Sequence, residues 1–149
     1  SNLEKLYLTI KKLSLKITDN KEYYSLAHKL GVPEKGLLNL KDQLFGLEAN
    51  FELFQAIDFK KGCFIGQENT ARMKLKNKVR KRLMPILCDS KLNIGEELIF
   101  NNVKIGKVLI AEPYPFGLIN IIEPKFDEFK NEIIKVNGFN VKIIDCFYN

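Results

Sequence analysis

The residues best suited to chemistry lie in the stretch Lys60-Lys61-Gly62-Cys63-Phe64-Ile65-Gly66-Gln67-Glu68-Asn69-Thr70-Ala71-Arg72. A cysteine attacks electrophiles or binds metals as the thiolate, and neighbouring lysines favour that form. Gly62 and Gly66 flank the thiol, and glycine takes positive φ or admits a ligand close to the backbone. The same residues also allow a quieter reading, because free cysteine is among the most buried residue types. Gln67 and Glu68 suit either orientation of the loop or capping of a following helix. Arg72 stands four residues after Glu68, a spacing that pairs charges on a helix, or it faces an anion. If residues 67 to 73 are helical, Gly66 sits at the helix N-terminus, where free N–H groups face the loop.

Positive charge gathers just beyond this stretch. Between Arg72 and Arg82 lie Arg72, Lys74, Lys76, Lys78, Arg80, Lys81 and Arg82, with no acid among them. Such a run is either a solvated face or an anion site for phosphate, a polycarboxylate tail or RNA. Lys74, Lys76, Lys78 and Arg80 are the candidate anion-binding residues. No aromatic residue is interleaved with these cations, so direct nucleic-acid binding is not expected.

Several elements must hold the loop in place. Residues 5 to 17 alternate, with Leu6, Leu8 and Ile10 on one face and Leu13, Leu15 and Ile17 on another. This predicts a bulged strand or two short strands. Asp19 or Asn20 can cap a helix carrying Tyr23, Leu26, Ala27 and Leu30 at helical spacing, ended by Gly31 and Pro33. His28, the lone histidine, falls near that helix end, where a cation would suit the dipole. Residues 36 to 59 are apolar without one clean period and predict short helices and turns packed under the loop.

From Val79 the pattern becomes β. Strands are expected at Leu83 to Cys88, Gly95 to Phe100, Val103 to Ile110, Gly117 to Ile122, Ile133 to Val136 and Phe139 to Phe147. Asn101-Asn102 and Asn137-Gly138 supply tight turns. Short strands at this density predict a small barrel or sandwich. Cys88 and Cys146 fall among apolar residues there and read as core.

The whole chain has 149 residues, a net charge of +6, 46% hydrophobic and 28% charged residues. These values suit one domain or two small ones. No apolar run reaches the roughly 18 residues of a membrane span, so no membrane association is expected. The three cysteines, Cys63, Cys88 and Cys146, are widely spaced and include no CxxC. Neither a disulfide framework nor a metal site is predicted, and a reducing, cytoplasmic compartment is the expectation. Residues 1 to 4 lack the basic start of a signal peptide. The chain does not begin with Met and reads as a processed or truncated form.

A family resemblance rests on particular residues. They are Gly31-Val32-Pro33-Glu34, Gly46-Leu47-Glu48-Ala49-Asn50-Phe51, Ala56-Ile57-Asp58-Phe59, Lys61-Gly62-Cys63-Phe64-Ile65-Gly66-Gln67-Glu68, Arg72 and Arg80-Lys81-Arg82-Leu83. Together, over roughly residues 20 to 110, they resemble the YgfZ family of folate-binding proteins in the glycine cleavage T-protein superfamily. Phe64 stands where that family often has Tyr.

The resemblance implies an α+β fold. Residues 1–79 would be part of a T-protein-like (ferredoxin-like) middle domain carrying the Lys-Gly-Cys motif, and residues 80–149 a small antiparallel β-barrel. It covers the family's C-terminal half only, so tetrahydrofolate is expected as a ligand of a full-length protein, and a complete folate site is not expected here. Glu48 matches a shared glutamate that would either bond a pterin-like ring or brace the loop. The implied function is a folate-dependent accessory role in iron–sulfur cluster assembly or repair, indirectly supporting tRNA modification. Cys63 would be the functional thiol, and cluster client proteins or assembly factors the partners. The alternative is an aminomethyltransferase passing a one-carbon unit to tetrahydrofolate, a reaction with no task for a cysteine.

Overall fold

A computed structural model describes residues 2–16, 18–62, 68–76, 79–130 and 132–146, without the side chains of Asn39 and Glu68. Helix α1 spans Asn2–Lys12, α2 Asn20–Lys29 and α3 Glu68–Leu75. Strands β1 (Lys81–Cys88), β2 (Glu97–Phe100), β3 (Val103–Ile110), β4 (Phe116–Asn120), β5 (Ile134–Val136) and β6 (Phe139–Ile143) follow. All pairings are antiparallel, in the order β2-β3-β4-β1-β6-β5. Outer strands β2 and β5 come back together, so the sheet is a nearly closed barrel. Asn137 Nδ2 donates to Glu96 Oε1 across that seam at 3.1 Å.

The turns follow from residue chemistry. A two-residue hairpin loop of the favoured hand needs positive φ at both positions. Asn101 and Asn102 have φ of 48° and 62°, and Asn137 and Gly138 have 50° and 86°. Alternation then sends one face of each strand inward. Met84, Ile86, Leu98, Ile105, Val108, Ile119, Val141, Ile143 and Phe129 form a fully covered core. Each such side chain contributes about 1.5–3 kcal/mol by leaving water.

Over residues 5 to 12 the expected strand is helix α1 instead, residues 13 to 16 are a turn and irregular chain, and Ile17 lies outside the described residues. The apolar residues of α1 fit both periods: Leu3, Leu6, Tyr7 and Ile10 also fall at helical spacing. Leu and Lys favour helix over strand, and among the described residues no neighbouring strand accepts a pairing. Among the described residues α1 buries no side chain.

Helix α2 forms as its ends dictate. Asp19 accepts from Lys21 N at 2.9 Å and from Glu22 N at 3.3 Å. At the other end Gly31 N reaches the His28 carbonyl and Val32 N the Ala27 carbonyl, a Schellman ending with Gly31 at φ 78°. Residues 36 to 55 are a 3-10 turn at Leu37–Leu40 and successive turns.

Candidate functional site

Cys63, Phe64, Gly66 and Gln67 lie outside the described residues, as does Lys78. The structure places what brackets them. Asp58 Oδ1 accepts from Lys60 N at 2.8 Å and turns the chain into the loop. Lys61 and Gly62 are exposed, and a Cβ added at Gly62 would meet nothing within 4 Å. Beyond the loop, α3 begins at Glu68, so the expected short helix is present. Arg72 is exposed on it.

The segment before the loop docks on the free part of one strand edge. β6 pairs with β1 only over Ile86–Cys88, leaving the edge nearer Lys81 without a strand partner on that side. An uncovered edge exposes unpaired N–H and C=O groups. Here the turn around residues 47 to 50 covers it. Leu83 N donates to the Glu48 carbonyl at 2.7 Å, and Asn50 Nδ2 donates to the Leu83 carbonyl at 2.6 Å. Asn50 is fully buried, at φ 64°, a backbone region that asparagine tolerates better than most residues.

Arg82 completes this joint. Its Nη1 donates to the Leu47 carbonyl at 3.3 Å and to Asn50 Oδ1 at 3.4 Å, and its Nη2 lies 3.9 Å from Glu52 Oε2. Burial pushes the guanidinium below its usual pKa, and Glu52 opposes that shift. Glu52 also pairs with Lys74 of α3, whose ammonium sits 5.7 Å from the centre of the Phe59 ring. One carboxylate therefore ties the helix after the cysteine loop to the barrel.

These contacts sort the predicted residues. Glu48 is half-buried, and its Oε2 accepts from Phe45 N at 3.0 Å. That bond braces its own turn. Nearby, a groove of about 580 Å³ is lined by Val32, Pro33, Lys35, Leu37, Phe51 and Phe54 among others, and Glu48 does not line it. Its one acid, Glu34, accepts from Tyr23 OH at 2.8 Å. Lys74 is committed to Glu52, whereas Lys76 and Arg80 are exposed on the surface. The basic run is thus split between structure and solvent.

His28 does not act as a dipole-facing cation. It is buried, with Nε2 2.8 Å from the Pro115 carbonyl and its ring edge-on to Phe116 at 5.0 Å. Burial lowers its pKa, and the hydrogen bond to Pro115 opposes the shift. Cys146 is buried just past β6, with its Sγ against Gly31 so closely that a Cβ there would lie 2.6 Å away. Burial, reinforced by Asp145, pushes this thiol up to about 11. Cys88 is half-buried at the end of β1. Among the described residues no group of three or more His, Cys, Asp and Glu could hold a metal ion, and no helix is long and apolar enough to cross a membrane.

Asn50 and Glu52 escaped the sequence reading as site-forming residues. Asn50 stood within a quoted motif, but its role depends on Leu83, 33 positions away.

No protein-family model matches the chain. Comparison with characterised proteins is more informative. Residues of this chain align with the mitochondrial iron–sulfur cluster assembly factor IBA57 homolog of Neurospora crassa at 37% identity over 71 residues, 48% of this chain and 16% of that protein. The chain is similar to iron–sulfur cluster assembly factors. The corresponding protein of Pyricularia oryzae is 33% identical over 103 residues, 69% of this chain and 26% of the relative. The mouse factor is 36% identical over 75 residues, 50% and 21%.

IBA57 is the eukaryotic YgfZ-like factor, so the resemblance holds for that wider group and not for YgfZ itself. The chain spans only about a sixth to a quarter of these relatives' length. The expectation of a cytoplasmic protein is corrected: these relatives are mitochondrial proteins. A reducing compartment, inferred from cysteine spacing, does not distinguish the cytoplasm from other reducing spaces, which is why that inference failed.

Proposed function

We propose that this chain is the part of a mitochondrial iron–sulfur cluster assembly factor that carries its functional thiol, Cys63. The observation that carries the reading is the similarity to proteins from fungi and mouse that all bear the name of such a factor. The motif Lys61-Gly62-Cys63 supports the thiol's role, since adjacent lysines favour the thiolate. Glu52, by holding both Lys74 and Arg82, ties the helix that follows the motif to the barrel. Cluster client proteins or assembly factors are the partners in this reading. Tetrahydrofolate belongs to the full-length protein, and an effect on tRNA modification follows indirectly through cluster-dependent enzymes.

Complementation with the full-length gene tests this. Cells depleted of the protein are supplied with wild type, Cys63→Ala or Cys146→Ser, and a cluster-dependent mitochondrial enzyme is assayed. The expected result is failure of Cys63→Ala at normal protein abundance, with activity retained by Cys146→Ser. Full rescue by Cys63→Ala removes the thiol from the mechanism. Normal cluster-enzyme activity in the depleted cells removes the assembly role itself.

A further inference from the structure

The run of cations between Arg72 and Arg82 divides on folding, and one member joins a cluster that the sequence does not display. Lys81 starts β1, and its register partner on β4 is Asn120. On the other side of β4, Lys107 of β3 is the partner of Leu118. Leu118 and Asn120 stand two apart, so this face of the sheet brings together Lys81, Asn120, Leu118 and Lys107. With Lys104 and Gly106 they line a groove of about 280 Å³ on the barrel surface.

Three features make this groove more than a solvated face. First, it is concave, with Gly106 among its lining residues. Second, ammonium groups outnumber carboxylates there. Lys104 pairs with Glu97, which is also the register partner of Lys107 across β2 and β3; one carboxylate thus faces two ammonium groups, and Lys81 makes no ion pair among the described residues. Third, Asn120 is held in place by donating from Nδ2 to the Lys104 carbonyl at 3.1 Å. Its second amide hydrogen remains for a ligand.

We propose that the groove formed by Lys81, Lys104, Lys107 and Asn120 on the outer face of the barrel binds the phosphate group of a small molecule. Size favours this class over larger ligands. Pockets for drug-sized molecules begin at about 300 Å³, so this one holds a phosphate or diphosphate and leaves any attached organic group outside. Lysines bind phosphate as point charges, and an excess of ammonium groups over carboxylates at one concavity raises local anion concentration. None of its lining residues belongs to the Lys61-Gly62-Cys63 motif, and the site does not depend on the proposed assembly role.

Amide NMR of the whole chain, titrated with inorganic phosphate, inorganic diphosphate and adenosine diphosphate, tests the proposal. Each titration is matched in ionic strength by potassium chloride. The expected result is saturable shifts centred on Gly106, Lys107 and Asn120, with diphosphate binding more tightly than phosphate. Equal affinity for diphosphate and adenosine diphosphate would show that the phosphates alone are held. Tighter adenosine diphosphate binding would mean that the attached group touches the rim. Lys81→Gln and Lys107→Gln should each weaken diphosphate by about fivefold, the upper range for one exposed charge pair. Lys142→Gln, on an exposed part of β6, should not change it. Shifts reproduced by chloride alone, or affinity unchanged in both variants, would overturn the site. Stronger binding of a glutamate-rich peptide than of diphosphate would overturn the small-molecule assignment in favour of protein docking.

Discussion

The barrel and the segment before it differ in how their side chains are covered. Within the barrel, Ile86, Leu98, Ile105, Val108, Ile119 and Ile143 are wholly inaccessible. In the preceding segment, Leu3, Leu6 and Tyr7 of α1 and Leu38 of the 3-10 turn stand in solvent. The barrel closes around its own core. The earlier segment is attached to it through a second, smaller apolar cluster, in which Leu40 packs with Leu83, Leu109, Ile110, Phe116 and Leu118, and through specific joints: His28 to Pro115, the Glu48 and Asn50 bonds to Leu83, Arg82 to Leu47, and the contact of Cys146 with Gly31. A closed core resists change through packing, whereas a segment docked by one small cluster and a few polar joints depends on fewer groups.

Truncation of side chains should expose that contrast most strongly. Phe129→Ala, at a fully buried ring packed edge-on against Phe126, should cost about 3–5 kcal/mol in urea unfolding. Leu6→Ala on α1 should change stability by no more than about 0.5 kcal/mol. Comparable losses from both would mean that α1 is covered in solution and would erase the distinction.

The Asn50 joint should give the next largest effect. Asn50→Ala removes two buried hydrogen bonds and places alanine at positive φ, for a loss of about 2–3 kcal/mol. Asn50→Gly relieves only the backbone part and should recover about 1 kcal/mol of it. No recovery would assign the whole effect to the Leu83 and Arg82 bonds. Thermal unfolding of both variants decides this.

Acid should loosen the His28 joint. Its folded pKa is depressed by burial, so the unfolded chain takes up a proton first as pH falls. The contribution is present above the unfolded value of about 6.5 and is lost as pH drops through the folded value. Urea midpoints at pH 7.5 and 5 should show this loss, and His28→Gln should reduce its size. An identical acid response in the variant would place the titrating group elsewhere.

The smallest effect concerns Cys146. Its folded pKa of about 11 lies above the ordinary 9.0, so its contribution is present below pH 9.0 and lost as pH rises through the folded value. Cys146→Ser should flatten the stability profile across that window. In native alkylation followed by peptide mapping, the expected order is Cys63 first, Cys88 next and Cys146 last. Early labelling of Cys146 would mean that the contact with Gly31 opens readily.

Legibility in the sequence followed the range of the interactions. The Asp19 cap, the Gly31 ending, and the Asn101-Asn102 and Asn137-Gly138 turns were all readable, because each depends on residues within a few positions. The six strands were readable for the same reason, through alternation. Over residues 5 to 17 two periods fit equally well, and alternation misled because nothing local signalled the absence of a partner strand. His28 was misplaced because helix position was visible, while the Pro115 carbonyl, 87 positions away, was not.

By itself, then, the sequence determined the turns, the α2 caps, the β character after Val79 and the Lys61-Gly62-Cys63 motif. These follow from backbone preferences and spacing that do not depend on distant residues. Only the tertiary structure decided which charges are free. It bound Lys74 and Arg82 to Glu52, buried Asn50 on Leu83, and set Lys81 beside Lys107 across β4. The physical reason is that strand register and edge coverage bring together residues tens of positions apart, and an ammonium's role depends on which carboxylate lies within a few ångströms of it.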